Sequence, residues 1–392
     1  MKFYFSSSVK ALAFFLVSIT FYSCNQGEQK VEKVEEVVAV EAPKQLQSVS
    51  EEFNRTALFL AGVSQTDSNY YSQLESKEFW KAHVVEMNAI WKKAEDSRLN
   101  IISSWRDKSL TPAINDSLPL YYPFSGADFL HAWYFYPNAP QYHLVALENV
   151  TMLPDFQKMT EAQLTDYLSS LRNSLRDVIG KSYFITMHMQ TDLKSGDYSG
   201  ILPLYYVFLS RTGHKILNLE TISMDSTGTH QVSTDKKFTG VRIKMTKDGF
   251  TEKSLTYMRF DLGDDNLKAN QQYQKWVASL GEKNVFLKAA SYLLHYKSFE
   301  EARKTIFSNT SSIFQDDSGL AYRYVDTTQF NVNLFGEYTR PIKDFGDYTI
   351  QKDLAELYEK TPAEKRPQIP FPLGYHVVAD KIQNHQLFVR KK

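Results

Sequence analysis

The chain is expected to fold as an α/β or α+β protein, a mixed sheet with helices packed on its faces and antiparallel hairpins. Three observations predict this. Segments with apolar residues every three or four positions alternate with short apolar runs of strand length along most of the chain. Turn formers such as Arg211-Thr212-Gly213-His214 and Lys247-Asp248-Gly249 separate adjacent strand-like runs, which is how hairpins read. No segment repeats at a fixed period, so the pattern is not that of a solenoid or propeller.

In chain order, residues 51–61 and 75–102 read as helices. The second carries Phe79, Trp80, Val84, Met87, Ile90, Trp91 and Leu99 on one face. Residues 118–124 are extended and punctuated by proline. Residues 128–133 read as a short helix and 142–148 as a buried strand. Residues 161–179 form an amphipathic helix with Leu164, Leu168, Leu171, Leu175 and Val178 in one stripe. Strands are then expected at 183–189, 201–210 and 215–223, with a hairpin of 240–246 and 254–261. Helices are expected at 267–280, 284–296 and 299–307, strands near Ser312, at 320–325 and at 330–338, a helix at 351–358, and a terminal hairpin of 375–378 against 386–390. A weak boundary near Gly180 allows the body to be two subdomains.

The N-terminus has its own logic. Lys2 and Lys10 precede the apolar run Ala11-Leu12-Ala13-Phe14-Phe15-Leu16-Val17, and Phe21-Tyr22-Ser23 lead into Cys24, the one cysteine of the chain. A positive start, a short apolar core and a small residue before the cut make a secretory signal over residues 1–23. The core is shorter than the roughly 20 apolar residues a spanning helix needs. The segment resembles a lipobox, with Phe21 and Tyr22 in place of the usual Leu and small residue. Cys24 is then expected to carry the lipid. Three acyl chains, at about 0.8 kcal/mol per buried methylene, hold a protein permanently. Residues 24–50 are polar and free of aromatics, so they read as a flexible tether; a helix over residues 29–38 is the alternative. The globular body is 51–392.

Composition narrows the class of partner. The 45 basic and 45 acidic residues become 43 and 45 once Lys2 and Lys10 leave with the signal, a net charge of −2. That balance lacks the basic stripe of a nucleic-acid protein. With Cys24 acylated no disulfide remains, and thiol catalysis is excluded. The body must hold itself together by its core, for which 26 Phe and 24 Tyr provide large rings. No Walker or dinucleotide glycine fingerprint is present, and no histidine pair has a zinc spacing, so no cofactor or metal is indicated.

Two segments could carry chemistry. In Tyr121-Tyr122-Pro123-Phe124-Ser125-Gly126-Ala127-Asp128-Phe129-Leu130-His131, a serine, an acid and a histidine lie within seven residues. A hydrolase triad is one reading. The other is local: Ser125 caps the following helix and Asp128 returns as the capping-box acid. The Gly-x-Ser-x-Gly nucleophile elbow is absent. The second segment, Gln315-Asp316-Asp317-Ser318-Gly319, is a turn by composition. It is expected between two strands, with Gly319 or a neighbour at positive φ and Arg323 paired to an acid. Ser125, Asp128, His131, Asp316, Asp317 and Arg323 are the candidates to edge one shared cleft. The acidic loops at 192–200 and 261–266 lack EF-hand spacing and read as solvated.

Together, residues 122–129, Phe135-Tyr136-Pro137-Asn138-Ala139, Leu147-Glu148, residues 315–319 and Leu334-Phe335-Gly336-Glu337-Tyr338 resemble a family of uncharacterised bacterial secreted and lipid-anchored proteins, over residues 118–378. The resemblance implies an exported, envelope-facing protein and brings no catalytic residues. The expected function is a lipid-anchored binding or scaffold protein of the cell envelope, outer membrane if the cell is Gram-negative. Its partners would be the membrane, through the lipid, and an envelope protein or glycan. The alternative is a lipid-anchored hydrolase acting on glycans or peptides, so whether it is an enzyme stays open at this point.

Overall fold

The computed structural model describes residues 49–181, 200–234, 238–338, 350–371, 373–375 and 384–392. The signal, Cys24 and the tether up to residue 48 lie outside the described residues, as does the strand expected at 183–189. Of the strand expected at 375–378 only Tyr375 is described, in a turn. Among the described residues no helix is long and apolar enough to cross a membrane.

Residues 44–392 form one compact unit. The helical layer begins with α1 (Glu51–Leu60), α2 (Tyr70–Leu74), α3 (Glu78–Ala94) and α4 (Asn100–Trp105). The strands and remaining helices follow as β1 (Leu120–Pro123), α5 (Phe129–Phe135), β2 (Gln141–Ala146), α6 (Glu161–Lys181), α7 (Leu202–Arg211), β3 (Lys215–Met224), β4 (His230–Val232), β5 (Gly240–Thr246) and β6 (Lys253–Arg259). Next come α8 (Asp264–Ala269), α9 (Gln272–Ser279), β7 (Lys283–Leu287), α10 (Glu300–Phe307), β8 (Thr310–Gln315), β9 (Phe330–Gly336), α11 (Lys352–Lys360) and β10 (Asn384–Arg390).

The ten strands among the described residues make one mixed sheet in the order β4-β3-β5-β6-β2-β1-β7-β8-β10-β9. Its five middle strands, β6, β2, β1, β7 and β8, are parallel. Antiparallel strands extend it on both sides, β5, β3 and β4 on one and β10 and β9 on the other. The expected mixed sheet is therefore present. Its centre, β1 and β2, precedes residue 180 and its other strands follow it, so a subdomain border at 180 would cut the sheet; the body is undivided there.

Period-two alternation along the strands builds two cores. Tyr122, Leu144, Phe286 and Phe314 face the larger core, with α1, α3, α6 and α7. Tyr121, Val145, Val285 and Ile313 face the smaller one, with Leu267, Tyr273, Trp276 and Ile306 of α8, α9 and α10. Strands covered on both faces read as continuous apolar runs rather than alternating ones.

Several expectations need correction, each for a physical reason. Residues 201–210, expected as a strand, are α7. Its residues from Leu202 to Leu209 are all buried and Pro203 sits in the first turn, where it is tolerated. A helix buried all round loses the apolar stripe that would distinguish it from a strand. The reverse error falls on residues 284–296. They hold the buried strand β7 and then a 3-10 turn, Ala289–His295, entered through Ala289 at φ 55°. Residues 320–325 are not a strand but contain the 3-10 turn Tyr322–Tyr324. The helix expected over 75–102 is interrupted by the π turn Glu95–Leu99, and residues 267–280 divide into α8 and α9.

Candidate functional site

The chain leaves β1 toward β2 on one side, then returns from β6 to β7 on the other side of β1. Such a switch point leaves a crevice at the carboxyl ends of the strands, the place where open α/β sheets bind ligands. Here the crevice is widened by a short seam. β1 and β7 pair only at Leu120–Asn284 and Tyr121–Val285 and then part. A cavity of about 250 Å³ opens there. Its walls are mainly apolar, from Phe124, Phe260, Leu262, Leu293 and Phe299, and its polar groups include Tyr122, Asp128, Glu148 and Lys288.

Both strand ends are conformationally strained where they meet the cavity. Phe124, directly after β1, has φ 60°, and Ala289, two residues after β7, has φ 55°. Left-handed backbone at non-glycine residues costs of order 1–3 kcal/mol each and clusters at ligand clamps and active sites. The turn at Phe124 redirects the chain through Ser125 and Gly126 (φ 57°) into α5. The turn at Ala289 leaves Lys288, the preceding residue, pointing in under the sheet's end.

Asp128 is the hub. It is 1% exposed and caps α5, with Oδ1 accepting the His131 amide at 3.2 Å. Oδ1 also lies 2.8 Å from His131 Nδ1. Oδ2 accepts from Lys288 Nζ at 2.5 Å and from the Tyr122 hydroxyl at 3.1 Å. Lys288 Nζ is in turn 3.2 Å from His131 Nδ1. Burial by itself would raise the Asp128 carboxyl, but the electrostatic influence of His131 and Lys288 and the hydrogen bonds they donate outweigh it and hold it below the ordinary carboxylate value. Burial takes His131 down to about 4, so its imidazole is neutral at pH 7. Burial also lowers the Lys288 ammonium, with Asp128 opposing. Tyr122 is pushed far up by burial and by Asp128 beside it.

Ser125 is buried at the cavity wall, but its hydroxyl donates to backbone carbonyls, Gly126 O at 3.0 Å and Val145 O at 3.4 Å. The expected cap is therefore corrected: Asp128 is the N-cap of α5. Because Phe124 and Gly126 both turn left-handed, Ser125 lies one turn too early to reach the helix amides. No hydrogen bond joins Ser125 to His131, so a Ser-His nucleophile pair is not assembled in this conformation.

The second segment reaches the hub by one residue. Asp316 follows β8, and its Oδ1 accepts from the Ser318 amide at 3.0 Å and from the Ser318 hydroxyl. A Cβ on Gly374 would lie 2.7 Å from Asp316 Oδ2 and 3.2 Å from Lys288 Cγ, so both side chains flank that glycine. Asp316 acts electrostatically on Lys288 and Tyr122. Asp317 is held through its backbone, its amide donating to Asn384 and its carbonyl accepting from Gln351. Neither acid lines the cavity.

Two expectations for this segment are corrected. Arg323 does not pair with Asp316 or Asp317. It is exposed, donates to His295 O at 3.4 Å and lies over the Tyr324 ring, because the 3-10 turn replaces the strand that would have carried it back to the acids. Gly319 does not have positive φ. It is required instead because Gln315 folds back over the turn and bonds both polar atoms of Leu320; a Cβ at Gly319 would lie 2.4 Å from Gln315 Oε1.

Sequence reasoning missed Lys288 and Arg98. Lys288 stood inside an expected helix, where a lysine reads as solvated; a lone lysine in Val285-Phe286-Leu287-Lys288-Ala289-Ala290 was the available signal. Arg98 is carried inward by the π turn, 2% exposed, and donates to Ile179 O at 2.7 Å. Burial lowers it to about 10, and Asp128 acts against that. Among the described residues no three His, Cys, Asp or Glu side chains group as metal ligands do. Comparison of the chain with known protein families, with curated proteins and with solved structures finds no match.

Proposed function

We propose that this chain is a lipid-anchored cell-envelope protein, held through acylated Cys24, whose body binds a small, largely apolar ligand in the cleft between β1 and β7. The observation that carries the reading is the pair of strained residues, Phe124 and Ala289, on neighbouring strand ends around one cavity. Strain at two such places persists only where the surrounding structure enforces it. An apolar cavity with a few converging polar groups is the usual form of a small-molecule site. The hydrolase alternative has less support, because the Ser125 hydroxyl is committed to backbone carbonyls.

The cleft is tested with a library of small fragments and ligand-observed NMR on residues 51–392. Fragments should bind, and Leu293→Trp or Ala290→Trp should abolish binding without unfolding the body. Fragments that bind both blocked variants unchanged would place the site elsewhere. For the anchor, Cys24→Ala should remove fatty-acid label and membrane fractionation; a variant that keeps both would end that part of the reading.

A further inference from the structure

We infer that Lys288 is a covalent capture residue, whose Nζ forms an imine with an aldehyde or ketone admitted to the cavity. This rests on the cleft being a small-molecule site.

The argument begins with where the amine sits. Lys288 is 2% exposed yet lines the cavity, at the inner end of walls made by Phe124, Leu293 and Phe299. A lysine in apolar surroundings loses hydration that favours the ammonium, so the neutral, nucleophilic amine becomes more accessible than on a surface lysine. Three of its neighbours are groups that imine formation uses. Asp128 Oδ2 lies 2.5 Å from Nζ and can take its proton, the Tyr122 hydroxyl bonds the same oxygen at 3.1 Å, and neutral His131 is 3.2 Å away. An ion pair serving stability alone would be satisfied away from any opening. Here it stands at a cavity, behind a backbone strained at Ala289 that fixes the lysine's direction. Gly374 packs against the lysine stem, leaving no room for a Cβ against Lys288 Cγ and Asp316.

The chemistry balances without a further reagent. Asp128 accepts one proton from the ammonium, and the freed Nζ lone pair attacks the carbonyl carbon. One N–H proton of the resulting adduct passes to its oxygen, giving a neutral carbinolamine. The hydroxyl then receives the proton back from Asp128 and leaves as water while the nitrogen lone pair forms the C=N bond. Ammonium plus carbonyl thus gives a protonated imine and one water, with Asp128 restored. Apolar walls favour the dehydrated product.

The test treats the folded body at pH 7 with butanal or butanone and borohydride, which reduces any imine to a stable secondary amine, followed by peptide mapping. Lys288 should carry the butyl adduct at least tenfold above any exposed lysine, most clearly with the ketone, and Leu293→Trp should protect it. Asp128→Asn should slow adduct formation at least tenfold. Adducts confined to exposed lysines, with Lys288 unmodified, would overturn the inference. The wild-type map decides this even if a variant fails to fold. Fragment binding blocked by Leu293→Trp but without a Lys288 adduct would sink the imine and leave the binding site standing. Absence of both would remove both.

Discussion

The end of the sheet at β1 and β7 and the antiparallel edge of β3, β4 and β5 use the same residue types in opposite ways. At the edge, Asp225 and Asp248 sit in exposed turns and satisfy themselves locally. Asp225 accepts the Thr227 and Thr229 amides, and Asp248 those of Phe250 and Thr251. Glu220 and Arg242 pair across neighbouring strands, partly open to solvent. At the cleft, Asp128 is buried and draws its donors from Tyr122, His131 and Lys288, the last 160 residues away in sequence. A turn aspartate is explained by its neighbours. Asp128 is explained by its own helix turn only in part, and its bond to Lys288 only by the fold; a charge cluster that the fold must assemble and desolvate is the more informative place to look for function.

The largest expected break in this comparison is Lys288→Met. It leaves Asp128 buried without its cation and should cost about 3–5 kcal/mol in urea unfolding at pH 7. Arg242→Met, which removes the partly exposed counterpart, should cost only about 0–1 kcal/mol. Equal losses would mean that the two pairs do not differ in environment.

Acid should act next. His131 in the cleft and His230 at the edge are lowered by burial to about 4, and His214 to about 3, from the ordinary 6.5. Each is depressed on folding, so the unfolded chain binds more protons between the two values. Stability therefore rises with pH across that window and is lost on acidification from about pH 6.5 toward 4. Asp128, also depressed, adds a loss in the same direction at lower pH. Melting temperatures from pH 7 to 5 should fall steadily, and imidazole NMR should find His131 neutral at pH 6. A His131 value above 6 would contradict the cleft's burial.

Glycine substitutions give a smaller, cleaner contrast. Gly374 and Gly249 both have positive φ, +59° and +83°, but only Gly374 has neighbours that a Cβ would strike. Gly249→Ala should lose about 1–2 kcal/mol from the backbone conformation alone. Gly374→Ala should lose about 1–3 kcal/mol more, from overpacking against Asp316 and Lys288. The smallest effect is Ser125→Ala, about 1 kcal/mol for a buried hydroxyl's bond to a carbonyl, measured as a shift in urea midpoint. It should leave fragment binding intact; loss of binding at unchanged stability would give Ser125 a role at the ligand.

What was legible in the chain follows how locally each feature is determined. Helices α1 and α6 are half-buried and carry a visible stripe, and the β5–β6 hairpin announces itself through Lys247-Asp248-Gly249. Helix α7 and strand β7 are buried on all sides, which removes the periodicity that separates helix from strand. In the cleft, Asp128 and His131 lie three residues apart in one helical turn and could be read together. Lys288 joins them only through the parallel crossover, and no spacing rule reaches that far. Arg323 failed for the complementary reason: its proximity to Asp316 in sequence was mistaken for proximity in space.

The two-rung seam between β1 and β7 has a consequence beyond the cavity it opens. Among the described residues, every other pair of neighbouring strands shares at least three rungs. The sheet is thus a six-strand panel and a four-strand panel joined along its thinnest zipper. Within the parallel centre of the sheet this is the line expected to open most readily, and amide exchange at Tyr121 and Val285 should outpace that of the strands on either side. A molecule lodged in the cleft would touch both panels at once and brace the join, so occupancy would be felt as rigidity across the whole body.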